Sequence, residues 1–326
     1  MCSFEIRDPK CRLISAAPYA DRVVQQALCC VIEPLFERSF IFDSWACRPG
    51  KGQHLAIQRA RQMLRKFPWV LKTDIRRYFP SIDHDLLMQR LARTIGDRST
   101  LELLETIIRH PWPGQQHCRI FPGDDLFTPL ERTCGLPIGN LTSQLCGNLY
   151  LDETDHWLQQ SLRIPGYLRY MDDLVIFGPD KQFVIDVLAR LRHRMQTLRL
   201  QLHPTKTQIH PSRCGLRFLG YHITTQSLHP VPETVTRFRR KLRSLQKLYS
   251  LQQLTLPQLQ QITASYWGHF LQAGTPNRFR LILNDFPFFR ELCREFEAQQ
   301  KLKLENRERS LRSRSLPVAK HRNRKG

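Results

Sequence analysis

The sequence predicts an α+β fold, in which short antiparallel strands pack against amphipathic helices. Three observations lead to this prediction: an apolar hairpin pattern at 168–178, a short buried strand pattern at 69–75, and helical repeats of apolar residues in the segments around them. At 326 residues the chain is long enough to bury a large core and to form two or three subdomains.

The hairpin reads L-R-Y-M-D-D-L-V-I-F-G from Leu168 to Gly178, with apolar and β-branched residues on both sides of two adjacent acids. This pattern is typical of two strands joined by a two-residue turn, with Asp172 and Asp173 at the tip. Two neighbouring carboxylates repel each other unless a divalent cation neutralises them. A solvated Asp-Asp turn between surface strands is the alternative, but the apolar residues after the acids favour a buried hairpin.

The chain is strongly basic: its Lys and Arg residues total 50 and its Asp and Glu residues total 29, which gives a net charge of +21. A surplus of this size favours a polyanionic partner, most commonly nucleic acid. No apolar run approaches the roughly 18–20 residues that span a bilayer, and charged residues interrupt the N-terminal segment where a signal peptide needs an apolar core. The ten cysteines lack metal-ligand spacing, so we expect reduced, mostly buried thiols, no zinc site and a cytoplasmic location.

The N-terminal segment combines basic residues with a helix signal. Lys10 and Arg12 lie beside a short apolar run, on a strand or loop where they can grip a triphosphate or simply be solvated. Pro18 breaks this run, and Asp21 is expected to cap the helix that follows. The loop 44–53 is rich in glycine and basic residues and suits a close approach of backbone to phosphate, although it lacks P-loop spacing.

A third acid stands near the end of the predicted strand 69–75, which reads W-V-L-K-T-D-I. An acid at the end of a core strand is costly without a partner. Asp74 is therefore either a metal ligand or paired with a cation, and two arginines follow it directly in sequence. Phe79 lies shortly after this strand, where its ring can line a pocket beside the acid.

Amphipathic helices are predicted where apolar residues recur with helical spacing. One starts at Ser81 or Asp83, and another follows the turn that begins at Gly135. A third spans 182–200, and a fourth starts at Pro232, which suits the first helical position. Arginines and lysines surround the apolar stripe of this fourth helix, and the change of pattern marks a subdomain boundary near residue 230.

One acid at a strand end and two at a hairpin tip form the set that nucleotidyl transfer requires. Two Mg²⁺ ions roughly 3.5–4 Å apart activate the attacking 3′-hydroxyl and stabilise the leaving pyrophosphate, and carboxylates on adjacent strands can hold them. From about Lys10 to Tyr221, the order of motifs resembles that of reverse transcriptases. The resemblance implies a right-hand polymerase fold with fingers, a palm built on an antiparallel sheet, and a helical thumb.

Y-M-D-D at 170–173 resembles the catalytic hairpin of that family, and K-T-D-I-R-R-Y-F at 72–79 resembles its first acidic motif. The resemblance implies two Mg²⁺ ions, with Mn²⁺ as a substitute, bound by Asp74, Asp172, Asp173 and the backbone carbonyl of Ile75. Lys206 falls at the motif proposed to protonate pyrophosphate. The implied dNTP site comprises Lys10, Arg12, Ile75, Phe79, Ile138, Gly139, Gln144 and Tyr170. The implied primer grip is Phe218, Leu219 and Gly220, and the implied nucleic-acid contacts of the thumb are Arg237, Arg240 and Lys241.

The helix motif departs from the pattern of most members, which read P-Q-G followed by S-P. This chain reads Pro137-Ile138-Gly139 and Ser143-Gln144, and its strings L-P-I-G-N-L-T-S-Q, R-L-I-S-A-A-P and S-Y-W-G-H-F (265–270) are similar to reverse transcriptases of diversity-generating retroelements. That resemblance implies cDNA synthesis with errors opposite template adenine, and a small basic accessory variability protein as an oligomeric partner. Glutamine beside the nascent base pair can hydrogen-bond and isoleucine cannot, so Ile138 is expected to loosen discrimination.

The predicted organisation is a fingers and palm domain at 1–230, a thumb at 231–298 and a basic, disordered tail at 299–326. The palm is expected mainly at 68–97 and 135–230. A bacterial or phage-encoded enzyme is implied, with template RNA, primer and dNTPs as partners and no membrane. The alternatives are another small prokaryotic reverse transcriptase (retron, phage-defence or CRISPR-associated) and a non-catalytic RNA-binding protein on the same scaffold. Three intact, mutually repelling acids disfavour the last.

Overall fold

The computed structural model describes residues 2–7, 11–111, 120–125 and 127–286. Contacts divide the chain into two compact units, one formed by 1–219 with 223–226 and the other by 220–222 with the chain from 227 onward. Lys10, the end of the predicted thumb and the basic tail lie outside the described residues.

The first unit mixes helices and antiparallel strands, so the predicted α+β class is confirmed. Its strands are β1 (Cys2–Arg7), β2 (Cys11–Ala16), β3 (Trp69–Asp74), β4 (Gly166–Tyr170), β5 (Asp173–Gly178), β6 (Gln208–Pro211) and β7 (Leu216–Phe218). Its helices are α1 (Tyr19–Glu37), α2 (Gln53–Lys66), α3 (Tyr78–Ser81), α4 (His84–Thr94), α5 (Arg98–Arg109), α6 (Thr128–Glu131), α7 (Leu141–His156) and α8 (Lys181–Thr197).

A four-stranded sheet of order β4-β5-β3-β6 organises this unit, and all its pairings are antiparallel. Side chains alternate between its two faces. Leu71 and Ile75 point into the main core, where buried leucines of α4, α7 and α8 surround them. Lys72 and Asp74 therefore belong to the opposite face, which we call the catalytic face.

Two predicted helix starts have different outcomes. Asp83 is the residue before α4, and its carboxylate accepts a hydrogen bond from the backbone N–H of Leu86 at 3.0 Å. Asp21 was expected to cap α1, which is wrong, because the helix already begins at Tyr19, directly after Pro18. Asp21 lies in the first turn, where a negative charge still interacts favourably with the helix dipole.

The second unit contains a compact helical core. The chain enters it through β8 (Tyr221–Ile223), which pairs with β9 (Leu228–Pro230). Helix α9 (Pro232–Ser250) begins at the predicted proline and is followed by α10 (Leu256–Gln272) and α11 (Pro276–Asn284). Phe238 of α9 stacks on Phe279 of α11 with ring centroids 5.1 Å apart, which places the predicted apolar stripe of α9 in a core.

The expected burial of the thiols holds for part of the set. Cys29, Cys134 and Cys146 are buried, whereas Cys30, Cys47 and Cys214 are exposed. None of the helices in the described ranges is both long enough and apolar enough to cross a membrane.

Candidate active site

The antiparallel register brings the three predicted acids together. Asp74 is the last residue of β3 and lies opposite Asp173, the first residue of β5. Asp172 occupies the turn just before β5, after Met171, whose φ of 55° is left-handed. Opposed residues of an antiparallel pair have Cβ atoms about 4.5–5.5 Å apart on the same face. Asp74 and Asp173 therefore share one end of the catalytic face, next to the turn that holds Asp172.

Burial and mutual repulsion perturb this group of acids. The pKa of Asp172 is raised to about 6, first by burial and then by the negative charges of Asp173 and Asp74. The pKa of Asp173 is also raised by burial, and the nearby Lys72 ammonium opposes this rise. Ionised carboxylates at this position are therefore costly without positive charge, and a cation would lower that cost.

Two lysines supply positive charge to the acids. The Nζ of Lys206 lies 2.6 Å from Oδ1 of Asp74, and the Nζ of Lys72 lies 3.6 Å from Oδ1 of Asp173. The arginines at 76 and 77, which follow Asp74 in sequence, are exposed, so the cation paired with this acid comes from a distant segment. Within the part of the chain that the structure describes, no group of three or more His, Cys, Asp or Glu side chains is positioned to hold a metal ion.

The backbone of Ile75 faces the turn that holds Asp172. Its N–H donates to the carbonyl of Asp172 at 3.1 Å. On the other side, the N–H of His203 donates to the carbonyl of Asp74, and the N–H of Arg76 donates to the carbonyl of Gln201. In this antiparallel pattern the N–H and C=O of Ile75 point away from the 201–203 segment. The Ile75 carbonyl therefore lies on the same side as the acidic turn.

Arg169 is a buried residue of the hairpin that the sequence reasoning missed. Its guanidinium is fully buried and contacts both carboxylate oxygens of Asp155 on α7, at 2.6–2.9 Å. It also donates to the carbonyl of Met171 at 3.2 Å, next to Asp172. An arginine in a strand pattern that is otherwise apolar is the signal that could have identified it, since a buried cation requires a buried partner.

Phe79 and Tyr170 both lie near the acidic turn. A Cβ added to Gly147 would lie 3.1 Å from the sulfur of Met171 and 3.2 Å from the ring of Phe79, so these two side chains meet at the same point of α7. Tyr170 is opposite Asp173 in the β4–β5 register. Burial raises the pKa of the Tyr170 hydroxyl, with a smaller contribution from the thiol of Cys47.

The turn before α7 packs against β2. The N–H of Ser15 donates to the carbonyl of Ile138 at 2.9 Å, and a Cβ on Gly139 would lie 3.1 Å from the side chain of Ile14. Gln144 is exposed near the start of α7. The backbone of Arg12 belongs to β2, but its side chain lies outside the described residues.

The predicted primer grip is a tight turn between β7 and β8. Leu219 and Gly220 have φ values of 49° and 82°, the positive pair that a type I′ hairpin turn requires. Phe218 is buried, and the side chain of Gln53 at the start of α2 donates to the carbonyl of Leu219 at 2.9 Å. Within the second unit, the ring of His269 stacks on Tyr221 with centroids 4.0 Å apart.

The predicted nucleic-acid contacts of the thumb lie on α9 in the second unit. Arg240 and Lys241 are exposed, and Arg237 is half-buried. The opposite face of the helix supplies the core residues Phe238 and Leu242, so α9 presents cations to solvent and apolar side chains to its own unit.

Comparison with known proteins identifies a family for most of the chain. Residues 7–223 match the family described as reverse transcriptase (RNA-dependent DNA polymerase). The protein YkfC of Escherichia coli is 26% identical over 252 residues, which cover 66% of this chain and 63% of that protein. The group II intron-encoded protein LtrA of Lactococcus lactis is 24% identical over 152 residues, covering 46% of this chain and 23% of LtrA.

The chain thus matches less than two thirds of the length of each of these relatives. Among solved structures, a telomerase from Candida tropicalis in complex with a fragment of telomeric RNA superposes with a TM-score of 0.48 at 12% identity. The superposition covers 91% of this chain and 57% of that one.

Proposed function

The chain belongs to the reverse transcriptase family, and from this premise we propose that it is an RNA-directed DNA polymerase that makes cDNA on an RNA template. Its α+β fold is that of the right-hand polymerases. The observation that carries the proposal is the register of the acids: Asp74 lies opposite Asp173, and Asp172 sits in the adjoining turn. Three carboxylates at one end of an open sheet face suit phosphoryl chemistry on a bound nucleotide.

The donor types suit divalent cations, although among the described residues the three carboxylates are not arranged as a three-ligand metal site. Carboxylate oxygens and a backbone carbonyl are the ligands that Mg²⁺ prefers, and Mn²⁺ accepts the same donors. Asp74, Asp172, Asp173 and the carbonyl of Ile75 would hold two ions, and the raised pKa of Asp172 indicates a site short of positive charge. When bound, the ions would activate the 3′-hydroxyl of the primer and stabilise the leaving pyrophosphate.

Other residues of the chain would bind and orient the substrates. Phe79 would limit space beside the ribose 2′-position, and the turn at Leu219 and Gly220 would seat the primer end. Lys206, which is paired with Asp74 at 2.6 Å, would be close enough to the acids to give a proton to pyrophosphate. The exposed cations of α9 would contact the phosphates of the template–primer duplex.

Within the family we propose the diversity-generating type, in which errors opposite template adenine diversify a target gene by mutagenic retrohoming. The support is the sequence Leu136-Pro137-Ile138-Gly139, in which Ile138 stands where most members have glutamine. A small basic accessory variability protein, forming an oligomer, is the expected partner of this type, together with the template RNA and primer. Cytoplasmic location in a bacterial or phage-infected cell is part of the same proposal.

Primer extension on a defined RNA template, with dNTPs and Mg²⁺ and followed by product sequencing, tests the activity. Wild type and the double variant Asp172→Asn/Asp173→Asn are compared with and without the candidate accessory protein. Extension by wild type alone, with errors concentrated opposite adenine, is the expected result. Accurate extension would favour a retron, phage-defence or CRISPR-associated enzyme. Absence of extension in every condition would favour a non-catalytic RNA-binding protein.

The variant Ile138→Gln tests the source of infidelity. Restoring a side chain that can hydrogen-bond near the nascent base pair should lower the adenine error frequency without abolishing extension. Ile138→Val is the matched control, because it keeps an apolar, β-branched side chain. An unchanged error frequency in the glutamine variant would show that Ile138 does not determine fidelity.

A further inference from the structure

The loop 39–52, which we call the Phe42 loop, is held rigidly although most of its backbone lies outside helices and strands. The guanidinium of Arg48 pairs with Glu37 and donates to the carbonyls of Ile41 and Ser44 at 2.6 and 2.8 Å. The guanidinium of Arg59 on α2 makes two hydrogen bonds to Asp43, at 2.8 and 2.9 Å. The side-chain hydrogen bonds of Arg48, within the loop, and Arg59, on α2, thus fix the loop.

The fixed loop presents an exposed aromatic ring among cations. Phe42 is 64% exposed, although Trp45, which it meets edge to face at 5.5 Å, is buried. The Nζ of Lys51 lies 3.5 Å from the centre of the Phe42 ring and donates to the Phe42 carbonyl at 2.9 Å. The guanidinium carbon of Arg59 lies 5.8 Å from the same ring. The Lys51 ammonium lies over one face of the Phe42 ring, so a base would stack on the part of the ring that remains exposed. A ring on a loop fixed in this way loses little entropy on stacking, and the nearby cations attract phosphate.

The Phe42 loop pairs with the edge of the sheet that carries the acids. The N–H of Arg169 donates to the carbonyl of Asp43, and the N–H of Trp45 donates to the carbonyl of Arg169, so the loop runs along the free edge of β4. This contact is one residue from Tyr170, which lies opposite Asp173. Exposed Phe42 therefore lies on a segment anchored next to the acids.

A second connection places the end of the loop on the same face. Lys72, which shares the catalytic face with Asp74, donates to the carbonyl of Arg217 in β7 at 2.9 Å. The turn after β7 accepts the hydrogen bond from Gln53, which follows the Phe42 loop directly. The loop thus connects the free edge of β4 with the turn predicted to hold the primer end.

We propose that the Phe42 loop binds the template strand and that Phe42 stacks on an unpaired template base. This inference rests on the proposed function and adds a template contact to the same site. A primer base beside the acids is paired in the duplex, so the template is the strand that offers unpaired bases there. Stacking tolerates every base, because each base has a π-face, and it suits a polymerase that copies any sequence.

The test measures binding of fluorescent primer–template by anisotropy for wild type, Phe42→Ala and Phe42→Trp. One substrate carries a single-stranded 5′ template overhang, and the other has blunt ends. Loss of one stacked base by alanine substitution should weaken binding of the overhang substrate about 5- to 150-fold. Blunt substrate should bind all three proteins alike, and Phe42→Trp should bind like wild type because it keeps an aromatic ring.

Phe127→Ala is the matched control, since Phe127 is 62% exposed but belongs to the segment before α6. Equal binding of the overhang by wild type and Phe42→Ala would overturn the inference. Equal weakening on both substrates, or equal weakening by the alanine and tryptophan variants, would overturn it as well. Failure of wild type to bind primer–template would instead count against the proposed polymerase function. In that case, the affinity of wild type and the same Phe42 variants for single-stranded RNA tests the Phe42 loop.

Discussion

Replacing Asp172 with asparagine should stabilise the metal-free protein at neutral pH while abolishing DNA synthesis. Burial and the charges of Asp173 and Asp74 raise the pKa of Asp172 from an ordinary 3.8 to about 6. A rise of that size corresponds to a cost of about 3 kcal/mol for the ionised form in the folded state. Asparagine is neutral and nearly isosteric, so it removes this cost.

The pH dependence follows from the direction of the shift. Because the folded-state pKa lies above the unfolded one, the cost is fully present above about pH 6 and disappears as the pH falls through the unfolded value near 4. The stability gain from Asp172→Asn should therefore be at most about 3 kcal/mol at pH 7.5 and about half as large at pH 5.

Urea denaturation in EDTA at the two pH values measures this gain, since the chelator removes divalent ions that would favour the carboxylate. Asp186→Asn, a substitution of an exposed acid on α8, is the control and should show no such pH-dependent gain. If Asp172→Asn is equally stable or less stable than wild type at pH 7.5, the reasoning from burial and repulsion is refuted. Primer extension by the same samples shows whether the stabilised variant has lost activity.

Three further substitutions test other parts of the structure. Arg169→Met leaves the carboxylate of Asp155 buried and unpaired, so urea denaturation should show a loss of about 3–5 kcal/mol, and a loss below 1 kcal/mol would contradict this. Gly139→Ala should lower stability by about 1–3 kcal/mol in thermal unfolding, because φ is +123° and the new Cβ would lie 3.2 Å from the carbonyl of Ser15. His269→Ala should raise the KM for primer–template more than it lowers kcat, because His269 packs against the turn at Gly220. A loss confined to kcat would contradict this role for His269.

The sequence predicted those features of the fold that depend on local patterns. The hairpin was expected at 168–178 and is formed by strands at 166–170 and 173–178, because apolar residues flank the acids. Its turn is Met171-Asp172, so the expectation that Asp173 also lies in the turn was wrong: it is the first residue of β5. The strand predicted at 69–75 is β3, which ends at Asp74, and the helix predicted to begin at Pro232 does so, since each has its signal within a few residues. The turn at Met171 and Asp172 fixes the β4–β5 register locally. The β3–β5 register, which sets Asp74 opposite Asp173, joins strands that are far apart in sequence.

Contacts between distant segments could not be predicted in this way. The cation that pairs with Asp74 is Lys206, 132 residues away, whereas the arginines adjacent to the acid are exposed. Arg169 of β4 meets Asp155 of α7 in the buried interior, and no local sequence pattern predicts that contact. Asp21 failed as a cap because the proline before α1 already sets the start of the helix.

The two lysines explain how a folded chain tolerates the acids before any substrate binds. Lys206 and Lys72 pair with Asp74 and Asp173, while the pKa of Asp172 rises to about 6. Ions that bind these carboxylates would compete with the ammonium of Lys206 for Asp74. Under the proposed function, a lysine displaced from that acid would be available to protonate the departing pyrophosphate, so the contact that offsets repulsion would also supply a proton donor. Lys206→Met should therefore lower both stability and turnover, whereas Lys72→Met should lower mainly stability.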